Sequence, residues 1–417
     1  MRPTRRDIVR GGLCAAGASL AGAPPAALAA GGVAELPAWR YGSGSFASDT
    51  VLMFRGNPAH TFYGTGPVPD SPRLAWRFQT ARIDNVVRGT PMTWTGTGWT
   101  GTAIKLGDYV FVGSVGGYVY CLEAATGRLV WQLKGAGMFK GSPCAYENRI
   151  YIGNTDNLLR SIDAATGRLL WSHDTGKDLD SSPCVVDGRL YIAGENGYAR
   201  CLDPRSGKLL WKSFLGGIEP GTVPGSNGVE SSPAVVDGDF FAVDYHGRLY
   251  CLDIRDGRIK WTAETGDDTD ASVVVAGDLI YAAAEENSSF VFAFERESGK
   301  EVWRYGGNPK GYWSTPAVVG DRLYVGGDDA NLHCLDARSG KVIWTHATGD
   351  AIWSSPCVVD GKVVFGSRDA HLYVLDAKSG ALISRTAVDG RIISSPCIVD
   401  GAIYIGTATG YVYGFLP

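Results

Sequence analysis

Six tryptophans, Trp131, Trp171, Trp211, Trp261, Trp303 and Trp344, recur at intervals of 40, 40, 50, 42 and 41 residues, and Ser384 takes the same slot 40 residues further on. Each closes a segment Leu-Asp-x-x-x-Gly-x-x-x-Trp or a near variant. Ahead of each runs Ser-Ser-Pro-x-Val-Val-Asp-Gly or a relative, as at Ser181-Ser182-Pro183, Ser231-Ser232-Pro233 and Ser354-Ser355-Pro356. Gly89-Thr90-Pro91 reads as the first copy and Asp270-Ala271-Ser272 as a degenerate one. A period near forty residues requires a fold in which each unit buries its faces against its neighbours.

The third unit shows what one repeat forms. Pro183-Cys184-Val185-Val186 is a short apolar run, and Asp187-Gly188 is a hairpin turn. Residues 189–193 form a second strand, 198–202 a third and 208–212 a fourth, which carries Trp211. Four short strands on tight turns make one blade of a radial array. The 57 glycines, well above average usage, belong to these turns. The final unit, residues 394–417, has only three strands, whereas residues 72–80 supply a spare one with Trp76 in the tryptophan slot. The expectation is an all-β, eight-bladed β-propeller spanning residues 69–417, closed by the N-terminal strand completing the last blade.

Ahead of it, residues 1–30 read as a targeting segment and 31–68 as an N-terminal extension. Thr4-Arg5-Arg6-Asp7-Ile8-Val9-Arg10 resembles a twin-arginine export signal, followed by a weakly apolar stretch and the small-residue run of residues 26–30. The apolar stretch is too short for a membrane span. A periplasmic or extracellular destination follows, without stable membrane insertion. A net charge of −4 opposes a nucleic-acid-binding surface. Cys14 falls in the targeting segment. The other eight cysteines occupy two repeat positions, at one of which other copies carry Ala234, Val273 or Ala317. Packed free thiols and disulfides both remain open there. No Cys-x-x-Cys spacing exists to bind zinc or attach haem.

The Leu-Asp-x-x-x-Gly-Lys/Arg-x-x-Trp segments, with Tyr-x-Gly strands before them, resemble the pyrroloquinoline-quinone (PQQ) enzyme repeat over about residues 51–417. The resemblance implies a propeller and two kinds of activity. Quinoprotein dehydrogenases of this family hold PQQ between a tryptophan and two adjacent, disulfide-linked cysteines, beside a calcium bound by Glu, Asn and Asp. BamB-like outer-membrane assembly propellers are scaffolds without a cofactor. This sequence has no two adjacent cysteines and no lipobox cysteine.

Repeated positions are structural, so function belongs where the copies differ. The residue three before the proline slot enters each inner strand at the channel mouth and reads, blade by blade, Arg88, Lys140, Asp180, Glu230, Thr269, Trp313, Trp353 and Ile393. Arg391 reinforces the basic arc. Asp178, Asp267, Asp268 and Asp270 reinforce the acidic one. Asp180, Glu230 and Asp270 are candidate ligands for a hard cation such as Ca²⁺. Trp313 and Trp353 offer a face to an aromatic or sugar ring, and the basic arc suits an acidic group. A rim of balanced charges is the competing reading. The turns between second and third strands, including Glu195, Asp244, His246, Glu285, Asp328 and Arg368, read as solvated turn formers. Two longer connections, residues 82–102 and 215–231, are expected over the mouth.

The expected function is a binding or scaffold propeller of the cell envelope, taking a protein partner or small ligand on one face. The alternative is an extracytoplasmic oxidoreductase using Ca²⁺ or a PQQ-like quinone. Replacing the arginine pair (Arg5→Lys with Arg6→Lys) is expected to retain the chain in the cytosol, read by cell fractionation.

Overall fold

The computed structural model describes residues 50–417 apart from 88–89, 99–100, 217–227, 267–268 and 286–288. Eight four-stranded antiparallel sheets follow one another along the chain, with no helix among the described residues. In the first blade the strands, from the axis outward, are β4 (Ile104–Leu106), β5 (Tyr109–Gly113), β6 (Tyr118–Glu123) and β7 (Leu129–Lys134). Before them come β1 (Arg73–Gln79), β2 (Arg82–Val87) and β3 (Thr90–Thr95). As the sequence implies, β1 pairs with the last strand, Tyr411–Leu416, and completes the eighth blade.

The serines of the repeat hold the blades in a ring. In blades one to seven the residue at the second position of the pair gives its amide N–H to the hydroxyl of its counterpart in the next blade. The bonds run Thr102 to Ser142 (2.8 Å), Ser142 to Ser182 (2.9 Å), Ser182 to Ser232 (2.9 Å) and Ser232 to Ser272 (2.8 Å). They continue from Ser272 to Thr315, Thr315 to Ser355 and Ser355 to Ser395, each 3.0 Å. A parallel bridge between Thr102 and Ser395 closes the belt. The first serine works within its own blade. Ser181 Oγ donates to the Ala193 carbonyl at 2.6 Å, and Ser231 Oγ donates to that of Val243 at 2.8 Å.

This belt corrects two sequence registers. Thr90-Pro91 is not the inner strand of blade one, because β3 pairs with β2 in a separate two-stranded hairpin. The slot falls to Thr102-Ala103, whose following residues Ile104–Leu106 form the inner strand and end in the Gly107-Asp108 turn region. In blade five, the bond from Ser232 to Ser272 puts Asp270 in the mouth position, one residue after Thr269.

Outside the belt, the repeated tryptophans seal the seams between blades. Trp76 Nε1 donates to the Ala124 carbonyl and Trp131 Nε1 to that of Ala164, both at 2.9 Å, each reaching into the following blade. The indoles lie on Gly127 and Gly167, where an added Cβ would stand 2.4 Å from Trp76 and 2.7 Å from Trp131. These glycines also have φ of +70° and +73°, so both the turn and the close approach demand glycine. The eight cysteines of the propeller are buried and free.

The chain before β1 fills the channel beyond the belt. Val51 pairs with Lys105 of blade one, and Leu52 accepts from Ala145 N in blade two at 2.7 Å. Pro58 accepts from Val235 N at 2.8 Å and Ala59 from Val275 N at 3.0 Å, in blades four and five. Tyr63 Oη accepts from Val318 N at 2.7 Å in blade six. At the centre, the buried Arg55 guanidinium donates to the carbonyls of Pro316 (2.9 Å) and Pro356 (2.7 Å) and lies 4.5 Å from the Tyr63 ring centroid. Arg55→Ala strands two carbonyls in an apolar interior and is expected to cost on the order of 3 kcal/mol in urea unfolding.

Candidate functional site

Two rings of side chains meet at the mouth. The corrected inner ring of described residues is Lys140, Asp180, Glu230, Asp270, Trp313, Trp353 and Ile393. Arg88 lies outside the described residues, as do Asp267 and Asp268 and most of the connection at 215–231. The second ring comes from the turn after each second strand: Val115, Thr155, Glu195, Tyr245, Glu285, Asp328, Arg368 and Ala408. In seven of these turns the residue's amide is bonded to the segment leading into an inner strand, as in Glu195 N to the Asp178 carbonyl at 3.1 Å and Ala408 N to that of Arg391 at 2.9 Å. That bond lays the turn side chains against the inner ring.

On blades two to four the two rings build a buried cluster. Lys140 Nζ is bonded to Asp180 Oδ2 of the neighbouring blade, with side chains 5% and 1% exposed. Asp180, Glu195 and Glu230 offer carboxylate oxygens that all lie within 4.8 Å of one another. Tyr245 Oη touches Glu195 Oε1 and lies 2.5 Å from Glu230 Oε1. A phenol has one hydrogen, so one of the two glutamates carries the proton of the other contact. Asp270 is buried alongside, its amide donating to Glu285 Oε1 at 3.2 Å, and it is not one of the three converging carboxyls.

Among the described residues of this cluster, carboxyls outnumber cations, and the electrostatics follow from that. Burial raises Asp180 to about 7, with Lys140 pulling down and Glu230 pushing up. Burial, then Glu230 and Asp180, lift Glu195 well above the carboxyl range. Burial opposes the charge on Lys140, but Asp180, Glu230 and Glu195 together hold it above the ordinary lysine value.

Blades six to eight differ. Trp313 and Trp353 stack on each other, with ring centroids 4.2 Å apart and planes inclined by 19°. Trp353 Nε1 donates to Asp328 Oδ1 at 2.5 Å, and the Arg368 guanidinium lies 4.1 Å from the Trp353 ring centroid. Trp353 is therefore sandwiched between Trp313 and Arg368. Trp313, Trp353 and Ile393 are half-buried and Arg391 is exposed, whereas Tyr312 packs fully inside against Tyr305 and His333.

A family model described as outer membrane protein assembly factor BamB matches residues 69–305 and 287–414. The chain belongs to this family. Among solved structures it is similar to a europium-containing methanol dehydrogenase, with a TM-score of 0.73, 15% identity, and 89% of this chain and 98% of that one covered. It is also similar to BamB from Moraxella catarrhalis, with a TM-score of 0.62, 18% identity, and 82% and 100% covered. At these identities the likeness is one of fold. Two curated relatives match locally. A 1-butanol dehydrogenase (quinone) of Thauera butanivorans is 34% identical over 89 residues, 19% of this chain and 14% of that protein. A quinohemoprotein alcohol dehydrogenase of Pseudomonas putida is 40% identical over 72 residues, 15% and 10%. The matches thus span a small fraction of either dehydrogenase.

The described residues of the mouth of this BamB-family propeller are not arranged as an open seat for a quinone or a calcium ion. PQQ is itself a polycarboxylic acid and would face Asp180, Glu195, Glu230, Asp270 and Glu285, while Trp353 already has a partner over each face. A hard cation needs the open oxygens of several carboxylates. Here Lys140 is bonded to Asp180, and Tyr245 sits between the glutamates.

The retained protons give a signed pH effect. A carboxyl raised in the folded state stabilises the fold fully below its unfolded value, about 4, and loses that contribution as pH rises through its folded value. For this cluster the loss extends through about 7, where Asp180 titrates. Glu195→Gln, a permanently neutral replacement, is expected to shrink the fall in melting temperature between pH 5 and 8, followed by thermal unfolding across that range.

Proposed function

We propose that the chain is an exported binding or scaffold propeller of the cell envelope that takes a protein partner on the mouth face, through the arc of blades six to eight. The observation that carries this reading is the division of the mouth. The acidic side is buried and bonded within itself, whereas Trp313, Trp353 and Ile393 remain half-buried beside Arg368 and the exposed Arg391. Tryptophan and arginine around an apolar centre are the residue types that dominate interface energies. The two arginines suit a partner segment that is apolar with acidic flanks. Membership of the BamB family supports a scaffold role. The Arg5-Arg6 segment supports export, and no helix among the described residues is long and apolar enough to cross a membrane.

The oxidoreductase reading draws on the local identity with the two alcohol dehydrogenases, and the charge of the mouth opposes it. One experiment separates the two. A photo-reactive amino acid at Ile393 is expected to cross-link one envelope protein, and Trp353→Ala with Arg391→Glu is expected to reduce that product at least tenfold, about 1.4 kcal/mol or more. The same residue placed at Leu210, on an outer strand, is expected to give no such product. Equal products from both positions would remove the binding reading. Dye reduction with an alcohol after loading with PQQ and Ca²⁺ would replace it with the enzymatic one.

A further inference from the structure

Each of the eight sheets ends at the rim of the ring in a fourth strand whose outer side no described strand covers. An open row of amides and carbonyls of this kind invites pairing with another chain, and charged side chains along the strand are a common guard against it. Seven of the eight outer strands carry such a guard. Lys134, Asp174, Lys212, Lys260 and Arg304 stand on blades one to five, Arg385 on blade seven and Arg77 on blade eight, all of them exposed. The outer strand of blade six, Val342–Ala347, is the exception. Its sequence Val-Ile-Trp-Thr-His-Ala contains no acid, lysine or arginine.

The same strand is also the most apolar on its outside. Val342 and Ile343 are 48% and 40% exposed, whereas no other outer strand shows more than one large exposed apolar residue. The bulge that all eight outer strands share leaves Ile343 outside the ladder, and Trp344–Ala347 then pairs regularly with the third strand of the blade, from Cys334 to Asn331. Blade six thus holds out a short, extended and uncharged template, with two β-branched side chains beside it.

We propose that the rim of blade six is a self-association surface, on which a second copy of this chain pairs its own Trp344–Ala347 antiparallel about a two-fold axis. Identical segments joined in this way are self-complementary. With the axis between Thr345 and His346, Trp344 of one copy lies opposite Ala347 of the other, large against small. No like charges meet along the paired stretch. The nearest charges flank it at opposite ends, Lys341 before and Asp350 after. The two-fold brings each Lys341 to the end where the other copy's Asp350 stands, so the flanks complement each other. The two propellers lie rim to rim with their mouths facing opposite ways, and the pairing is independent of the partner taken at the mouth. One strand pair is a small contact, so the association depends on concentration.

The test is sedimentation of the full mature chain over a range of concentrations. Wild type is expected to pass from monomer to dimer as the concentration rises. Ile343→Lys gives blade six the guard of the other blades and is expected to weaken the dimer by roughly tenfold or more. Its melting temperature is expected to stay at the wild-type value, since Ile343 is exposed. Leu210→Lys, on the rim of blade three, is expected to leave the dimer unchanged. Lys341→Asp and Asp350→Lys are each expected to weaken it, and the two together to restore it. The propeller's own thiols are buried, so a nitroxide can be placed on Thr345→Cys alone, where it is expected to sense its counterpart in the dimer. The same label on Leu210→Cys is expected to sense none. A wild type that stays monomeric throughout overturns the proposal, and so does a dimer that survives Ile343→Lys. A dimer that the exchange of Lys341 and Asp350 does not restore, or in which the Thr345 labels do not meet, rules out the antiparallel pairing.

Discussion

The belt of amide-to-hydroxyl hydrogen bonds around the channel is the constraint on which the rest of the molecule depends. Within a blade, the backbone ladder satisfies its own polar groups, but the inner strand presents a bare edge to the axis. The hydroxyls of Ser142, Ser182, Ser232, Ser272, Thr315, Ser355 and Ser395 answer that edge from the next blade, at 2.8 to 3.0 Å. Each blade is thereby held at one height and one angle relative to its neighbours. The residue two positions earlier is delivered to the same level of the mouth every time. The tryptophan wedges at the outer seams set the spacing, while the belt sets the register.

Most of the fold could be read from the sequence, because the physics repeats with the residues. The Asp-Gly and Ser-Gly turns and the displaced Trp76 strand each imply one arrangement, and the structure has both; the cysteine slots left thiols and disulfides open, and the structure holds buried free thiols there. The two register errors are instructive. Gly89-Thr90-Pro91 mimics the entry motif without the apolar run and turn that follow in true copies, and those features stand at Ile104–Leu106 instead. In blade five Asp270-Ala271-Ser272 has no proline to mark the slot, so only the bond to Ser272 fixes which residue faces the channel.

The site was less legible. Lys140, Asp180, Glu230, Trp313 and Trp353 could be picked out as positions where the copies diverge. Their partnerships could not. Glu195, Arg368 and Asp328 look like ordinary turn formers in a linear reading, and Tyr245 attracts no attention at all. They matter because the turns fold over the mouth, a fact of tertiary geometry. One signal was available: reading the residue after the second strand across all copies gives a second uneven series, with acids and a tyrosine on blades three to five and an arginine on blade seven. Unequal residues at equivalent places mark function in a repeat protein wherever they fall.

The segment lying along the axis has a consequence for how the molecule comes into being. Residues 51–63 touch inner strands of blades one, two, four, five and six, and Arg55 reaches on to blade seven. The next strand, β1, belongs to blade eight. The earliest described part of the chain thus finds most of its blade partners among residues made much later, through contacts of very large sequence separation. Such contacts are costly in loop entropy and slow to form. The propeller therefore closes around its own beginning after synthesis of the last blade. Until then the seams at both ends of the array stay open, and the nascent chain depends on being kept from pairing with its neighbours.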